Sequence, residues 1–384
     1  MKRALTASLL LMTLAGCQTV GNMWDDLFGS SGPKQVPAAL VQFNPAIDVK
    51  LRANANIGSA VGSIFTPALT KDGVFAASYD GKIARFDTDT LKEIWRVDTL
   101  KKLTGGVGAA DNVMVVGTSK GDVLAYDFNG KALWQARVSS EILSAPQISE
   151  GLVLVRSGDG RVFALSAKDG SRKWLYQRDT PALTVRSYGG VLTDKNAVFA
   201  GFGGGKMVAL ELQTGGLGWE ASVALPRGVS EIERIADVTS NPVTDGREVC
   251  AVAFQGRVAC FEPQSGNLIW AREMSSIAGM AIDARNVYVS DVNGTVHALD
   301  KTSGAYVWKQ DKLANRELSA PLIYRGYVVV ADLQGYVHFL SREDGAFVAR
   351  IATDGSPIRA QPVGLTDGVL VQTKKGGLFV LSLN

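Results

Sequence analysis

The segment GTVHALDKTSGAYVW, residues 294–308, contains a short apolar run, a turn rich in Asp, Thr, Ser and Gly, and a second extended run that ends on Trp308. The pattern recurs along the chain. Five earlier copies also end on a tryptophan, a seventh has Ala349 in that position, and an eighth stops at the C-terminus. The glycines that open the copies are Gly81, Gly121, Gly160, Gly205, Gly256, Gly294, Gly335 and Gly376.

Each copy follows another hairpin half, which often starts with a small residue and a proline, as in SAPLIYRGYVVVADL. Four short antiparallel strands repeated about every forty residues are typical of a β-propeller. We therefore predict an all-β protein with eight blades, over residues 41–384; seven blades with extra strands, or two sandwiches, are the alternatives. The extended stretch 45–54 is predicted to complete the last blade, because that blade lacks its outermost strand.

The predicted length of the turns decides where the two cysteines of the predicted propeller point. Asx-Gly pairs such as Asp80-Gly81 are suited to two-residue type I′ turns. In VCAVAFQGRVACFE, residues 249–262, a two-residue turn at Gln255-Gly256 places Cys250 opposite Phe261. The two cysteines then point to opposite faces, which favours buried free thiols over a disulfide. A shift of one residue reverses this prediction.

The N-terminus has the features of an export signal. Positive residues precede an apolar run at 4–14, which is too short to span a bilayer. The run ends in LAGC, which resembles the lipobox of bacterial lipoproteins. This implies a signal peptide at 1–16, lipidation of Cys17 and a flexible tether over 17–40. Gln18 stands where an Asp would indicate retention in the inner membrane, so we expect an outer-membrane lipoprotein that faces the periplasm.

Composition argues against several functions. The formal charge of the 384 residues is +3 and no basic block stands out, so nucleic acid is not an expected partner. The only two histidines, His297 and His338, occupy a repeat position that is otherwise mostly apolar. We therefore interpret them as packing residues, as we do the repeated tryptophans, and expect no catalytic residues, cofactor or metal.

The repeat resembles the PQQ-like repeat of quinoproteins, which raises a quinone-dependent dehydrogenase as one hypothesis. Such enzymes often carry an adjacent Cys-Cys pair, which this chain lacks. The lipobox, the eight copies and the segments PALTVRSYGG and SEIERIADVTSNPV together resemble the family of outer-membrane protein assembly factor B. That resemblance implies a non-catalytic scaffold lipoprotein of the β-barrel assembly machinery. A propeller that binds unfolded outer-membrane proteins or peptidoglycan directly is a further alternative.

The resemblance also implies a binding site for the periplasmic domains of the barrel-forming subunit. The family's contact positions correspond to Leu183, Val185, Arg186 and Asp237, while Thr239 replaces a second expected Asp. We predict an apolar centre with a rim formed by Arg186 and Asp237.

The tryptophan spacing supports this location. It is 45 residues from Trp174 to Trp219 and 51 from Trp219 to Trp270, against 38 to 40 elsewhere. The extra residues therefore fall in two connections near the predicted site, and insertions of this kind commonly form the binding face of a repeat protein.

Overall fold

A computed structural model describes residues 36–383 of the chain, all of whose regular structure is β-strand. The predicted signal peptide 1–16 and Cys17 lie outside the described residues. Over the part of the chain that is described, the structure contains no helix with the length and hydropathy that a membrane crossing requires.

The strands are short and follow one another closely along the chain. In chain order they are β1 Val49–Asn56, β2 Ala68–Thr70, β3 Gly73–Ala77, β4 Lys82–Phe86, β5 Glu93–Asp98, β6 Leu103–Ala110, β7 Val113–Thr118, β8 Asp122–Asp127, β9 Ala132–Arg137, β10 Gln147–Ser149, β11 Leu152–Arg156, β12 Arg161–Ser166, β13 Arg172–Gln177, β14 Val191–Asp194, β15 Ala197–Phe202, β16 Lys206–Glu211, β17 Leu217–Ser222, β18 Val243–Thr244, β19 Val249–Val252, β20 Arg257–Phe261, β21 Leu268–Glu273, β22 Gly279–Ile282, β23 Asn286–Ser290, β24 Val296–Asp300, β25 Tyr306–Gln310, β26 Leu322–Tyr324, β27 Tyr327–Ala331, β28 Tyr336–Ser341, β29 Phe347–Ala352, β30 Val363–Leu365, β31 Gly368–Gln372 and β32 Gly377–Leu383.

These strands pair into eight antiparallel sheets of four strands each. Blades 1 to 7 take consecutive strands, from β2–β5 in blade 1 to β26–β29 in blade 7. Blade 8 combines β30, β31 and β32 with the N-terminal strand β1, and Val49 pairs with Leu383. The predicted eight-bladed propeller, closed by an N-terminal strand, is confirmed.

The core consists of wedges between neighbouring blades. Eight apolar clusters are buried among the described residues, and each one combines side chains of two adjacent blades. In the wedge between blades 4 and 5, for example, Phe199 and Met207 pack against Val249 and Phe261. Alternate residues of each middle strand face opposite neighbours, so the strands are buried on both sides.

The turns between the second and third strands of a blade are longer than predicted. The Ser78 amide donates to the Lys82 carbonyl at 2.9 Å, so the loop contains three residues, 79–81. Only Gly81, with φ +103°, has a positive φ there, whereas a type I′ turn needs two such residues. The Ser78 hydroxyl donates to the Asp80 carboxylate within the turn. This polar residue at the first turn position is a signal that the dipeptide rule overlooks.

A turn of three residues, instead of two, also corrects the prediction of free thiols at Cys250 and Cys260. The Ala253 amide donates to the Arg257 carbonyl at 2.9 Å, which leaves a three-residue loop. Cys250 therefore lies opposite Cys260, not opposite Phe261, and the two cysteines form a buried disulfide. The prediction was wrong because it assumed a two-residue turn, and a change of one residue in register moves both side chains to one face.

The repeated tryptophans connect each blade to the next. The Trp174 indole N–H donates to the Leu212 carbonyl of the next blade at 2.9 Å, and its ring covers Gly215. A Cβ added to Gly215 would lie 2.6 Å from the ring. The equivalent pairs are Trp95–Gly130, Trp134–Gly170, Trp219–Gly266, Trp270–Gly304 and Trp308–Gly345. The packing role predicted for the tryptophan position is confirmed, and its partner is a glycine of the neighbouring outer turn.

Two junctions have another arrangement. Blade 8 has no turn between its third and fourth strands, because the fourth strand is β1, so Ala349 of blade 7 has no such glycine to cover. At the next junction Ala53 of β1 occupies the tryptophan position. Leu91, with φ +51°, replaces the glycine of the blade 1 turn, and both residues belong to one apolar cluster. At this junction the strand carries the small residue and the turn carries the large one, which we call a small–large pair. The six tryptophan–glycine junctions have the reverse arrangement.

The segment that precedes β1 lies along blade 7. Arg316 donates from Nη1 to the Ala38 carbonyl at 2.8 Å, and Arg350 donates from Nη2 to the Val41 carbonyl at 2.8 Å. The Phe43 ring stacks on Phe347 with 5.4 Å between the ring centroids. The chain therefore contacts the propeller from Ala38 onward, before it enters the last blade.

Candidate functional site

Two long connections lie on the same face of the ring. Residues 178–190 join blade 3 to blade 4, and residues 223–242 join blade 4 to blade 5. Because strands alternate in direction, these connections share a face with the turns between second and third strands, such as residues 203–205. We call the side formed by these three segments the loop face. The prediction that the two inserted connections share one face is confirmed.

Asp237 belongs to the second connection and is hydrogen-bonded to the first connection and to the turn 203–205. Its carboxylate accepts a hydrogen bond from the Val185 amide at 2.6 Å and another from the Gly204 amide at 2.8 Å. Its side chain is only 2% exposed. The prediction that Asp237 forms part of a charged rim was therefore wrong, because its oxygens face inward and accept hydrogen bonds from the backbone.

Leu183 and Arg186 lie on the outer side of the same loop. Leu183 is 47% exposed, while Val185 is half-buried above Asp237. The Arg186 guanidinium donates to the Glu141 carboxylate at 2.8 Å, and this hydrogen bond raises the pKa of Arg186. The structure thus brings all four predicted residues together, three of them at or near the surface and one beneath.

Arg156 supports the loop from blade 3. Its Nη1 donates to the Ser187 hydroxyl at 2.9 Å and to the Gly189 carbonyl at 2.6 Å. Burial lowers the pKa of Arg156 to about 10, and the charge of Asp237 opposes that shift. Sequence reasoning missed this residue. The available signal was an arginine at the end of LVLVR, whose other residues are buried.

Tyr188 spans the central opening of the ring. Its hydroxyl donates to the Gly62 carbonyl at 2.9 Å, and Gly62 precedes blade 1. Its ring lies 5.8 Å from the Arg186 guanidinium, within the range of a cation–π contact. Tyr188 therefore fixes the tip of the connection 178–190 to the far side of the ring, a role that its sequence context did not indicate.

The second connection contains a short helical turn. The Ser230 amide donates to the Glu233 carboxylate at 3.1 Å, and the Glu233 amide donates back to the Ser230 hydroxyl at 3.3 Å. This reciprocal pair is a capping box, whose S-x-x-E signature is present in SEIE. The turn presents Val229 and Ile232, which are 93% and 68% exposed. The loop face therefore carries exposed apolar side chains on a locally ordered segment.

The two histidines are paired with aspartates, and one further cluster has side chains of the types that bind metals. His338 is buried with Nε2 at 2.9 Å from Asp332, and His297 lies 3.0 Å from Asp291. In the described part of the chain, Glu248 and the two cysteines of blade 5 are the only cluster with ligand atoms close enough for a metal. Those cysteines form the disulfide, so their sulfurs are not available as thiolate ligands.

Comparison with known sequences decides the family. The sequence profile described as "Outer membrane protein assembly factor BamB" matches residues 79–310 and 293–384. The chain belongs to this family. Relatives named outer membrane protein assembly factor BamB include that of Nitrosomonas eutropha, 46% identical over 97% of this chain and 93% of its own. Another is that of Escherichia coli, 31% identical over 100% of this chain and 99% of its own. The resemblance stated from the sequence is confirmed.

Solved structures agree with the fold. The crystal structure of BamB from Moraxella catarrhalis matches with a TM-score of 0.81 at 26% identity, over 87% of this chain and all of that one. The quinohemoprotein alcohol dehydrogenase from Comamonas testosteroni matches with a TM-score of 0.71 at 14% identity, over 87% of this chain and 76% of that one. At that identity the likeness to the dehydrogenase shows a shared propeller and nothing about catalysis.

Proposed function

We propose that this chain is a non-catalytic scaffold of outer-membrane protein assembly and that its loop face docks the periplasmic domains of the barrel-forming subunit. Lipid on Cys17 and the tether over 17–40 would hold the propeller at the periplasmic side of the outer membrane. Docking would restrict the orientations of those domains and raise the local concentration of unfolded outer-membrane proteins. Membership of a family of assembly factors supports this role.

The observation that carries the proposal is the arrangement of Leu183 and Arg186. They lie on an inserted connection that Asp237, Arg156 and Tyr188 fix from three directions. An exposed apolar side chain beside a charged one, held in a rigid loop, suits protein recognition because little conformational entropy is lost on binding. Val229 and Ile232 extend the apolar surface across the neighbouring connection.

The test is a pull-down with the purified periplasmic domains of the barrel-forming subunit. We expect the double variant Leu183→Ala, Arg186→Glu to bind at least about tenfold more weakly than the unmodified chain, since it removes an apolar contact and reverses a charge.

The matched control is Leu133→Ala, Arg137→Glu on β9 of blade 2. It changes an exposed leucine and an exposed arginine on the outermost strand of another blade, outside the connections 178–190 and 223–242, and should leave binding unchanged. Equal affinity of the loop-face variant and the unmodified chain would show that the proposed site is wrong.

A further inference from the structure

A cavity of about 400 Å³ opens on the loop face at the centre of the ring. Its wall includes Ile277, Met280, Val292 and Leu318, which come from the loops and strands of blades 6 and 7. Ile277 and Val292 are 48% and 44% exposed, so apolar surface faces solvent here. The volume and the apolar lining are those of a site that holds a ring-sized group.

Two of the polar groups in the cavity wall lack hydrogen-bond partners. The hydroxyl oxygens of Thr239 and Ser240 are buried and have no hydrogen-bond partner among residues 36–383. Gly279, with φ +113°, leaves the space beside Ser240 open, because an added Cβ would lie 2.9 Å from the Ser240 Cβ. Buried hydroxyls without partners are uncommon and costly, so a group that brings a polar atom to this pair would bind better than an apolar group of the same shape.

The cavity is continuous with the proposed docking loop. Arg186 and Tyr188 line it on one side. On the other side, Arg359 donates to the Glu317 carboxylate at 2.6 Å and forms a polar rim. A protein segment that covers Arg186 would therefore lie beside the cavity mouth, and its side chains could reach inside.

We propose that this cavity receives a tyrosine side chain of the protein segment that docks on the loop face; the inference rests on the docking function proposed above. The aromatic body of tyrosine would cover Ile277 and Val292. Its hydroxyl would supply the partner that Thr239 and Ser240 lack, after a χ1 rotation of either side chain. Phenylalanine would leave both hydroxyls unpaired. Tyrosine is also a frequent anchor of protein interfaces.

The probe is p-cresol, which is the tyrosine side chain as a free molecule. It is titrated into the full chain carrying Cys17→Ser, with ¹³C-methyl methionine for nuclear magnetic resonance. We expect a saturable shift of the Met280 methyl signal, assigned with Met280→Leu, because Met280 lies in the cavity wall. Toluene, which lacks the hydroxyl, should bind at least about threefold more weakly.

Two variants locate the effect. Ile277→Asp places a carboxylate at the cavity mouth and should abolish the shift, whereas Leu268→Asp, an equally exposed leucine on the outer strand of blade 5, should leave it unchanged. Absence of a saturable shift would overturn the proposal, as would equal binding of toluene and p-cresol or an unchanged shift in Ile277→Asp.

A pull-down with Ile277→Asp separates this inference from the docking function. Weaker capture of the periplasmic domains by Ile277→Asp, with normal capture by Leu268→Asp, supports a tyrosine anchor from the partner. If Ile277→Asp binds the domains normally while the Leu183 and Arg186 variant does not, docking stands and the tyrosine site is overturned. If p-cresol binds but none of these variants affects capture, the docking function fails and with it the assignment of the tyrosine to that partner.

Discussion

At the scale of single residues, Asp237 shows how a buried charge determines a surface. Its carboxylate accepts hydrogen bonds from two backbone N–H groups in different segments, those of Val185 and Gly204. Hydrogen bonds to a charged acceptor are among the stronger ones in proteins. We therefore infer that Asp237 acts on a partner through the position of Val185 and its neighbours, and not by direct contact.

The variant Asp237→Ala tests this role. It leaves two partly buried amides without this acceptor, so we expect the free energy of unfolding to fall by about 1–3 kcal/mol. We also expect faster hydrogen exchange of the Val185 amide. Urea unfolding and hydrogen-exchange mass spectrometry provide the two measurements. Asp179→Asn, an exposed position on the same connection, serves as the control and should change neither quantity.

Burial of His338 affects the protonation of its ring. Burial lowers the pKa of the His338 ring, and the charges of Arg316 and Arg350 act in the same direction against the hydrogen bond to Asp332. Nδ1 of the ring has no partner among the described residues, so a second ring proton would find no acceptor. The folded protein therefore prefers the neutral ring.

This preference predicts a loss of stability in mild acid. Below about pH 6.5 the unfolded chain binds a proton at His338 that the folded chain does not bind. The free energy of unfolding should then fall by up to about 1.4 kcal/mol for each pH unit, until the folded pKa is reached. Urea unfolding at pH 7.5, 6.5 and 5.5 measures the effect. His338→Gln should lack it and His297→Gln should retain it; an equal pH response of the three proteins would contradict this account.

Residues of the site were predictable only where they belong to a pattern. The excess length between tryptophans identified both connections, and the family resemblance identified Leu183 and Arg186. Arg156 and Tyr188 escaped because their roles depend on distant partners, such as the Gly62 carbonyl, 126 positions away in the sequence. No local spacing encodes a hydrogen bond of that kind, and the burial of Asp237 depends in the same way on Gly204 of another turn.

At the scale of elements, the repeated hairpins were predictable in number but not in register. The Asx-Gly rule suggested two-residue turns. A polar residue before the turn, such as Ser78, accompanies three-residue turns in most blades, but Phe202 and Ala253 occupy that position in blades 4 and 5. A single residue of loop length then decided whether Cys250 meets Cys260. Strand pairing amplifies such an error because adjacent residues point to opposite faces.

The small–large pair at the junction of blades 8 and 1 gives a test of the interblade contact. Ala53→Trp alone should destabilise the protein by about 1–3 kcal/mol, because the indole would collide with Leu91. The additional change Leu91→Gly recreates the pair found at six other junctions and should recover at least about 1 kcal/mol of that loss. A double-mutant cycle from urea unfolding measures the coupling. Additive effects of the two substitutions would contradict the proposed correspondence.

At the scale of the whole molecule, the ring is closed by residues from opposite ends of the chain. Strand β1 pairs with β32 over their full lengths. In addition, the side chain of Arg52 in β1 donates a hydrogen bond to the Asp367 carbonyl. The sequence allowed this closure to be predicted because the last repeat stops one strand short. The docking of the segment before β1 onto Arg316 and Arg350 was not predictable, since a polar, proline-containing stretch gives no pairing signal.

Removal of the closing strand should weaken the entire ring. A chain that lacks residues 41–56 exposes the edge of β32 and the apolar wedge around Leu378 and Val380. We expect a lower melting temperature and rapid proteolysis of blade 8. A synthetic peptide of residues 41–57, added in excess, should restore part of the protection. Unchanged melting of the shortened chain would show that β1 contributes little to closure.

Closure by the two chain ends also sets the order of strand pairing during folding. Among the described strands, β1 is synthesised first and its partner β32 is synthesised last. Seven blades can pair from consecutive strands as they are synthesised, whereas Val49 has no partner until Leu383 has been synthesised. A polypeptide that terminates before β32 therefore retains an open ring and leaves β1 without its partner strand.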